Sequence, residues 1–197
     1  ARFHSGLDDT HPYASPAWSW PLAKRAVVYF FETDPAGRYR EILAVANPVV
    51  WLPGFAAAAL AGLATVGRWR TVLPRMAALT VALAVGASYL PWLVLTVGRP
   101  FAFLHYIVPT IPFLALALGW AVATLPRRSG RALAASMLAL STAAVLWLAP
   151  LIYAQPIDYE SWRQRILFAD CTAAEVTDGR LAPRAGGGPP PPGWCWV

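Results

Sequence analysis

Between Glu41 and Asp158 the chain carries no aspartate or glutamate. Four apolar stretches fill that region: about 19 residues from Pro48 to Val66, about 25 from Leu73 to Val97, about 25 from Phe101 to Leu125 and about 22 from Ala132 to Tyr153. Each is long enough to cross a hydrocarbon core of roughly 30 Å as a helix. Buried helices of soluble domains keep a polar stripe, whereas these carry Ala, Leu, Val, Gly and Trp around the whole circumference. The fold expected is therefore an all-α membrane protein with four transmembrane helices. Composition agrees, with 57% hydrophobic and 13% charged residues, about half the charged share of a soluble domain. A carboxylate within a span would mark a functional site, because burying its charge is costly. With none present, proton relays and carboxylate ion sites inside the spans are not expected.

Arginines set the expected orientation. Arg68, Arg70 and Arg75 lie in or beside the first short loop and Arg127, Arg128 and Arg131 in the third, while the second carries Arg99. The positive-inside rule makes loops one and three cytoplasmic, although Arg38, Arg40, Arg163 and Arg165 near the outer ends moderate the bias. Both ends of the chain are then extracytoplasmic, in a multi-pass protein of the cell membrane. Net charge of +6 reflects this topology, since no nucleic-acid-binding motif accompanies it. Cys171 and Cys195 fall in the outer flank, where an oxidising compartment allows them to pair, the alternative being two unpaired thiols. No metal site is expected, because two cysteines without nearby histidines do not make one.

Three regions follow. Residues 1–47 are an extracytoplasmic loop, in which LAKRAVVYFF at 22–31 is expected to be an interfacial segment and ThrAspProAlaGlyArg at 33–38 a turn. Residues 48–153 are the four-helix membrane region, opened by Asn47 as a cap and Pro48 at the first helical position. Pro91 in the second span and Pro109 and Pro112 in the third predict kinks, which suit either an outward-opening cavity or packing irregularity alone. Residues 154–197 hold an amphipathic helix, with Ile157, Trp162, Ile166 and Leu167 at roughly helical spacing, and then a Pro/Gly-rich tail. The sequence begins at Ala1 without a methionine and no signal-peptide pattern is read there, so the chain is expected to be the C-terminal part of a longer polytopic protein.

Two constellations can bind a ligand. HPYASPAWSWP at 11–21 supplies His11, Tyr13 and Ser15 as hydrogen-bonding groups and Trp18 and Trp20 as flat rings, the combination that carbohydrate sites use. A membrane-surface anchor has the same composition. Around the middle loop, Arg99 stands at the mouth of two spans, where a guanidinium can pair bidentately with a phosphate. His105 and Tyr106 follow on the third span, and a phosphate-bearing lipid fits this group, the alternative for His105 being a hydrogen bond to a neighbouring helix.

The run FHSGLDDTHPYASPAWSWP from Phe3, AsnProValValTrp at 47–51 and ArgProPheAlaPheLeuHisTyr at 99–106 occur in the order found in the C-terminal four-span region of bacterial-type protein O-mannosyltransferases. The chain resembles that family from about Phe3 to Phe168. The resemblance implies the C-terminal part of a type C (GT-C) glycosyltransferase fold and an enzyme that moves mannose from a polyprenyl-phosphate carrier to Ser or Thr of exported proteins. It implies a lipid-linked mannose donor, an acceptor polypeptide and the N-terminal part of the same enzyme as partners. In that family the catalytic acidic pair belongs to the first outer loop, near the N-terminus. No position here corresponds to it, so no catalytic residue is expected in this chain and the fragment by itself is expected to be inactive. Asp8 and Asp9 are better suited to a solvated turn. His11, Tyr13, Ser15, Trp18, Trp20, Arg99, His105 and Tyr106 are the substrate-binding candidates. The rival functions are a non-catalytic polytopic membrane module, against which the absence of a clear internal repeat counts for the transporter form, and a lipid-linked-sugar transferase acting on cell-wall glycans.

Overall fold

The computed structural model describes residues 14–23, 26–66, 75–97 and 102–166. They form two compact units. One draws on the chain up to Ala46, on Thr96–His105 and on the chain from Leu146; the other consists of Asn47–Leu95 and Tyr106–Val145.

The second unit holds most of the membrane region. Its helices are α1 (Pro48–Val66), α2 (Arg75–Leu95), α3 (Ile111–Ala123) and the greater part of α4 (Arg127–Ile152). With the turn that precedes α3, these are the four transmembrane helices. Asn47 opens α1 as expected: its Oδ1 accepts from the Val49 N–H at 3.0 Å, satisfying one of the unpaired donors of the first turn. Its amide nitrogen also donates to the carbonyl and hydroxyl oxygens of Ser141 on α4, at 3.1 and 2.9 Å, and such polar bonds hold helices together where lipid removes the hydrophobic drive.

Packing between the spans rests on small side chains. Ala57, Ala58, Ala61 and Ala64 of α1 meet Ala78, Val81 and Val85 of α2 and Leu114 and Ala117 of α3, so backbones approach closely and gain dispersion contacts. At Gly54 the approach is tightest, since a Cβ there stands 2.8 Å from the Leu114 Cβ. The third span is not one α-helix. Leu104–Thr110 is a 3-10 turn containing Pro109, and α3 starts at Ile111 with Pro112 in its first turn. Proline removes a donor and clashes with the preceding turn, which ends one helix and begins the next. α2, by contrast, runs through Pro91 unbroken.

The first unit contains a feature that the sequence did not announce. Val27–Thr33 (β1) and Tyr39–Ala44 (β2) pair antiparallel, from Val27 opposite Ala44 to Thr33 opposite Tyr39, with an irregularity between Val28 and Phe30. Half of the expected interfacial segment, residues 27–31, thus belongs to strand β1; Lys24 and Arg25 of that segment lie outside the described residues. Cross-strand pairing satisfies the backbone of an aromatic, β-branched run better than an isolated surface segment does. The turn at 33–38 forms as expected. Asp34 Oδ1 accepts from the N–H groups of Ala36 and Arg38, both at 2.9 Å, and Gly37 takes a φ of +76°, which glycine adopts without strain. Bonding from the Arg38 N–H, then its guanidinium, holds the Asp34 carboxyl below the usual carboxylate range.

Against this hairpin packs α5 (Tyr159–Arg165), capped by Asp158, whose Oδ1 accepts from the Ser161 N–H at 2.7 Å. Trp162 of α5 is fully buried among Val27, Val28, Leu43, Leu148 and Leu151. Its indole N–H donates to Glu41 Oε2 at 2.7 Å, and Glu41 is itself 1% exposed. A buried carboxylate is tolerated only when bonded in this way. Tyr39 pairs its N–H and C=O with Ile157, at 2.7 and 2.9 Å, and stands edge-on to Trp162. Burial, with Tyr159 close by, pushes the Tyr39 phenol up.

Candidate functional site

Ser15 organises the candidate site. Its N–H donates to the Ala102 carbonyl at 2.7 Å, which ties the first flank to the segment that precedes the third span. The Trp20 indole N–H then reaches back to Ser15, 3.1 Å from its carbonyl oxygen and 3.0 Å from its hydroxyl. Trp20 belongs to the 3-10 helix Ala17–Leu22, which begins two residues after Ser15. Its entry is fixed by the Ser19 hydroxyl, which donates to the Pro16 carbonyl at 2.8 Å, and its exit by Ala23 at a φ of 51°. Because three residues make one turn of such a helix, the two tryptophans cannot share a face. Trp20 is fully buried and Trp18 is 65% exposed. Trp20 therefore locks the segment, and Trp18 has a ring available for stacking.

Ala14, Ser15, Pro16, Thr96 and Ala102 line a cavity of about 160 Å³. Thr96, at the end of the second span, accepts from the Ala17 N–H at 3.4 Å. Beyond Ala102 the chain presents an aromatic row. The His105 ring stacks on Phe103 with centroids 5.5 Å apart and planes within 10°, and Tyr29 of β1 lies tilted at 6.1 Å on it. Tyr29 is 59% exposed. Sequence inspection missed Tyr29, Thr96 and Phe103; ArgProPheAlaPheLeuHisTyr displayed Phe103, but Tyr29 enters only through the hairpin.

The sequence candidates thus separate. Ser15, Trp18, Trp20 and His105 belong to the first unit, while Tyr106 belongs to the second, where its ring lies 5.1 Å from that of Trp92. His11, Tyr13 and Arg99 lie outside the described residues, as do Asp8, Asp9, Cys171 and Cys195. Among the described residues, no three His, Cys, Asp or Glu side chains gather as a metal site requires. Chemically, the described residues of the first unit offer a hydroxyl-lined cavity and exposed aromatic rings, and the buried carboxylate of Glu41 is bonded to Trp162.

The model of the C-terminal four-transmembrane region of protein O-mannosyltransferases matches residues 1–170. The chain belongs to this family. Among its relatives, the polyprenol-phosphate-mannose–protein mannosyltransferase of Mycolicibacterium smegmatis is 27% identical over 185 residues, covering 84% of this chain and 34% of the relative. The mannosyltransferase of the same name from Mycobacterium tuberculosis is 28% identical over 181 residues, with the same coverage of 84% and 34%. Among solved structures, the S. cerevisiae protein O-mannosyltransferase Pmt1-Pmt2 complex bound to the sugar donor superposes with a TM-score of 0.68 at 23% identity, covering 85% of this chain and 24% of that chain. That likeness shows the fold of the protein O-mannosyltransferase membrane region. The chain spans about a third of the length of the curated relatives it matches.

Proposed function

We propose that the protein carrying this chain transfers mannose from polyprenyl-phosphate-mannose to Ser or Thr hydroxyls of exported proteins, and that this chain supplies part of the donor and acceptor wall. Carrying the proposal is the family match over residues 1–170, which includes every motif named above. The relatives' names state the same donor and the same kind of acceptor. The reaction is a displacement at the anomeric carbon: the acceptor oxygen bonds to it, the lipid phosphate leaves, and a carboxylate outside this chain takes the hydroxyl proton. Positive charge must meet the departing phosphate, and Arg99 has the chemistry for it. His105 and Tyr106 contact the carrier, while His11, Tyr13, Ser15 and Trp18 shape the wall where sugar and peptide meet and Trp20 fixes Ser15. Both flanks face away from the cytoplasm in the cell membrane, with 1–47 and 154–197 flanking the membrane region.

Membranes containing the protein, supplied with labelled polyprenyl-phosphate-mannose, are expected to place label on polypeptide hydroxyls, from which alkaline β-elimination releases it. Label entering cell-wall glycan, or no transfer at all, overturns the proposal. Arg99→Ala is expected to lower transfer by about 10²–10³-fold, the usual effect of removing one group that stabilises developing charge.

A further inference from the structure

At the turn from α3 into α4, a groove of about 350 Å³ opens between the two helix ends. Arg127, Arg131 and Ala134 line one side and Val122 and Leu125 the other. Arg127, Arg131 and Ala134 recur at three- and four-residue steps, so they share one face of α4. Arg128 is a third of a turn away and does not line the groove. The floor is formed by close backbone approach: Gly130 is buried, and a Cβ added to it stands 2.8 Å from the Val122 carbonyl oxygen. The turn itself is fixed by the Thr124 hydroxyl, which donates to the Ala121 carbonyl at 2.6 Å.

Two observations define the occupant. No ion pair engages Arg127 or Arg131 among the described residues, and the sequence offers no carboxylate between Glu41 and Asp158. Arg127 and Arg131 are both exposed, so an anion from outside the chain can reach them. The groove also lies where two transmembrane helices end and is lined by the apolar Val122, Leu125 and Ala134 as well as the two arginines, so one molecule with an anionic head and hydrocarbon tails satisfies both parts. A soluble anion satisfies the head alone. We propose that this groove binds an anionic phospholipid, with Arg127 and Arg131 on the headgroup phosphate and Val122, Leu125 and Ala134 against the acyl chains. The proposal is independent of mannose transfer.

Native mass spectrometry of the intact membrane protein, with phosphatidylglycerol or phosphatidylcholine added in equal amounts, tests it. Phosphatidylglycerol is expected to be retained preferentially. Arg131→Gln is expected to lower that retention by about tenfold, the scale of one charge-assisted contact, whereas Arg128→Gln, which removes the same charge outside the groove, stays within about twofold of the parent. Ala134→Trp, at an exposed position, fills the acyl wall without changing charge and is expected to lower retention as well. Inorganic phosphate is expected not to displace the lipid. Equal losses in Arg131→Gln and Arg128→Gln, equal retention of the two lipids, unaltered binding in Ala134→Trp, or displacement by phosphate each overturn the proposal. Monodisperse elution of each variant separates a binding defect from misfolding.

Discussion

The two units achieve their packing by opposite means. The second is held by what its residues lack: alanines along α1 and α2 and Gly54 against Leu114 leave room for backbones to touch. The first is held by what its residues carry: a hairpin, a buried tryptophan and a buried carboxylate joined by one short hydrogen bond. In hydrocarbon, exposing an apolar side chain costs nothing, so selection acts on fit. Outside the spans, burial from water stabilises the fold, and each polar group that enters must find a partner. The small-residue unit should fail when something is added, and the aromatic unit when something is removed.

Trp162→Ala removes the central side chain of the first unit and is expected to cost about 4 kcal/mol, the scale for a buried aromatic. Hydrogen exchange should show lost protection at the β1 and β2 amides, with protection in α1 and α3 retained. Loss spreading equally into the spans would break the comparison. Gly54→Val is the converse change, expected to cost about 2 kcal/mol through overpacking; thermal unfolding in detergent should report a lower midpoint, with hairpin protection unaltered. Trp162→Phe keeps most of the volume but takes the donor from Glu41, for a cost of about 2 kcal/mol. Adding Glu41→Gln to it should recover part of that loss, because a neutral amide is cheaper to bury than an unpaired carboxylate.

The smallest effect concerns pH. Asp158 is held below the usual carboxylate range chiefly by the Ser161 N–H, as Asp34 is by the Arg38 N–H. For a carboxyl whose pKa is depressed in the folded state, the stabilisation is present above the unfolded value and is lost as pH falls through the folded one. The α5 cap and the hairpin turn should therefore loosen below about pH 4, seen as faster local exchange at 34–38 and 159–162, while the spans, free of carboxylates, do not respond.

This contrast also explains what the sequence displayed. Pro48–Val66 emerged with the bounds of α1, and the Asn47 cap, the turn at 33–38 and a helix containing Trp162 were legible, because each depends on a few neighbouring residues. β1 was not. ValValTyrPhePheGluThr lacks the polar alternation that marks a half-buried strand, and its burial is irregular as well. The partner that makes Glu41 tolerable is 121 positions away, and nothing local to either residue signals the pair. At the site, the motif identified Ser15, Trp18 and Trp20, but which ring faces outward depends on the 3-10 helix that carries both tryptophans. Tyr29 reaches His105 through a strand that the sequence concealed.

In the proposed function the first unit holds the transfer wall, with the bond from Trp20 to Ser15 as its latch. Trp20→Phe keeps the buried ring and removes the N–H that fixes Ser15. Mannose transfer by membranes containing this variant is the direct measurement. A fall of about tenfold or more is predicted, since small misplacements at a transfer site cost that much, with thermal unfolding of the spans unchanged. Parental transfer in a variant that has lost the latch would contradict the account.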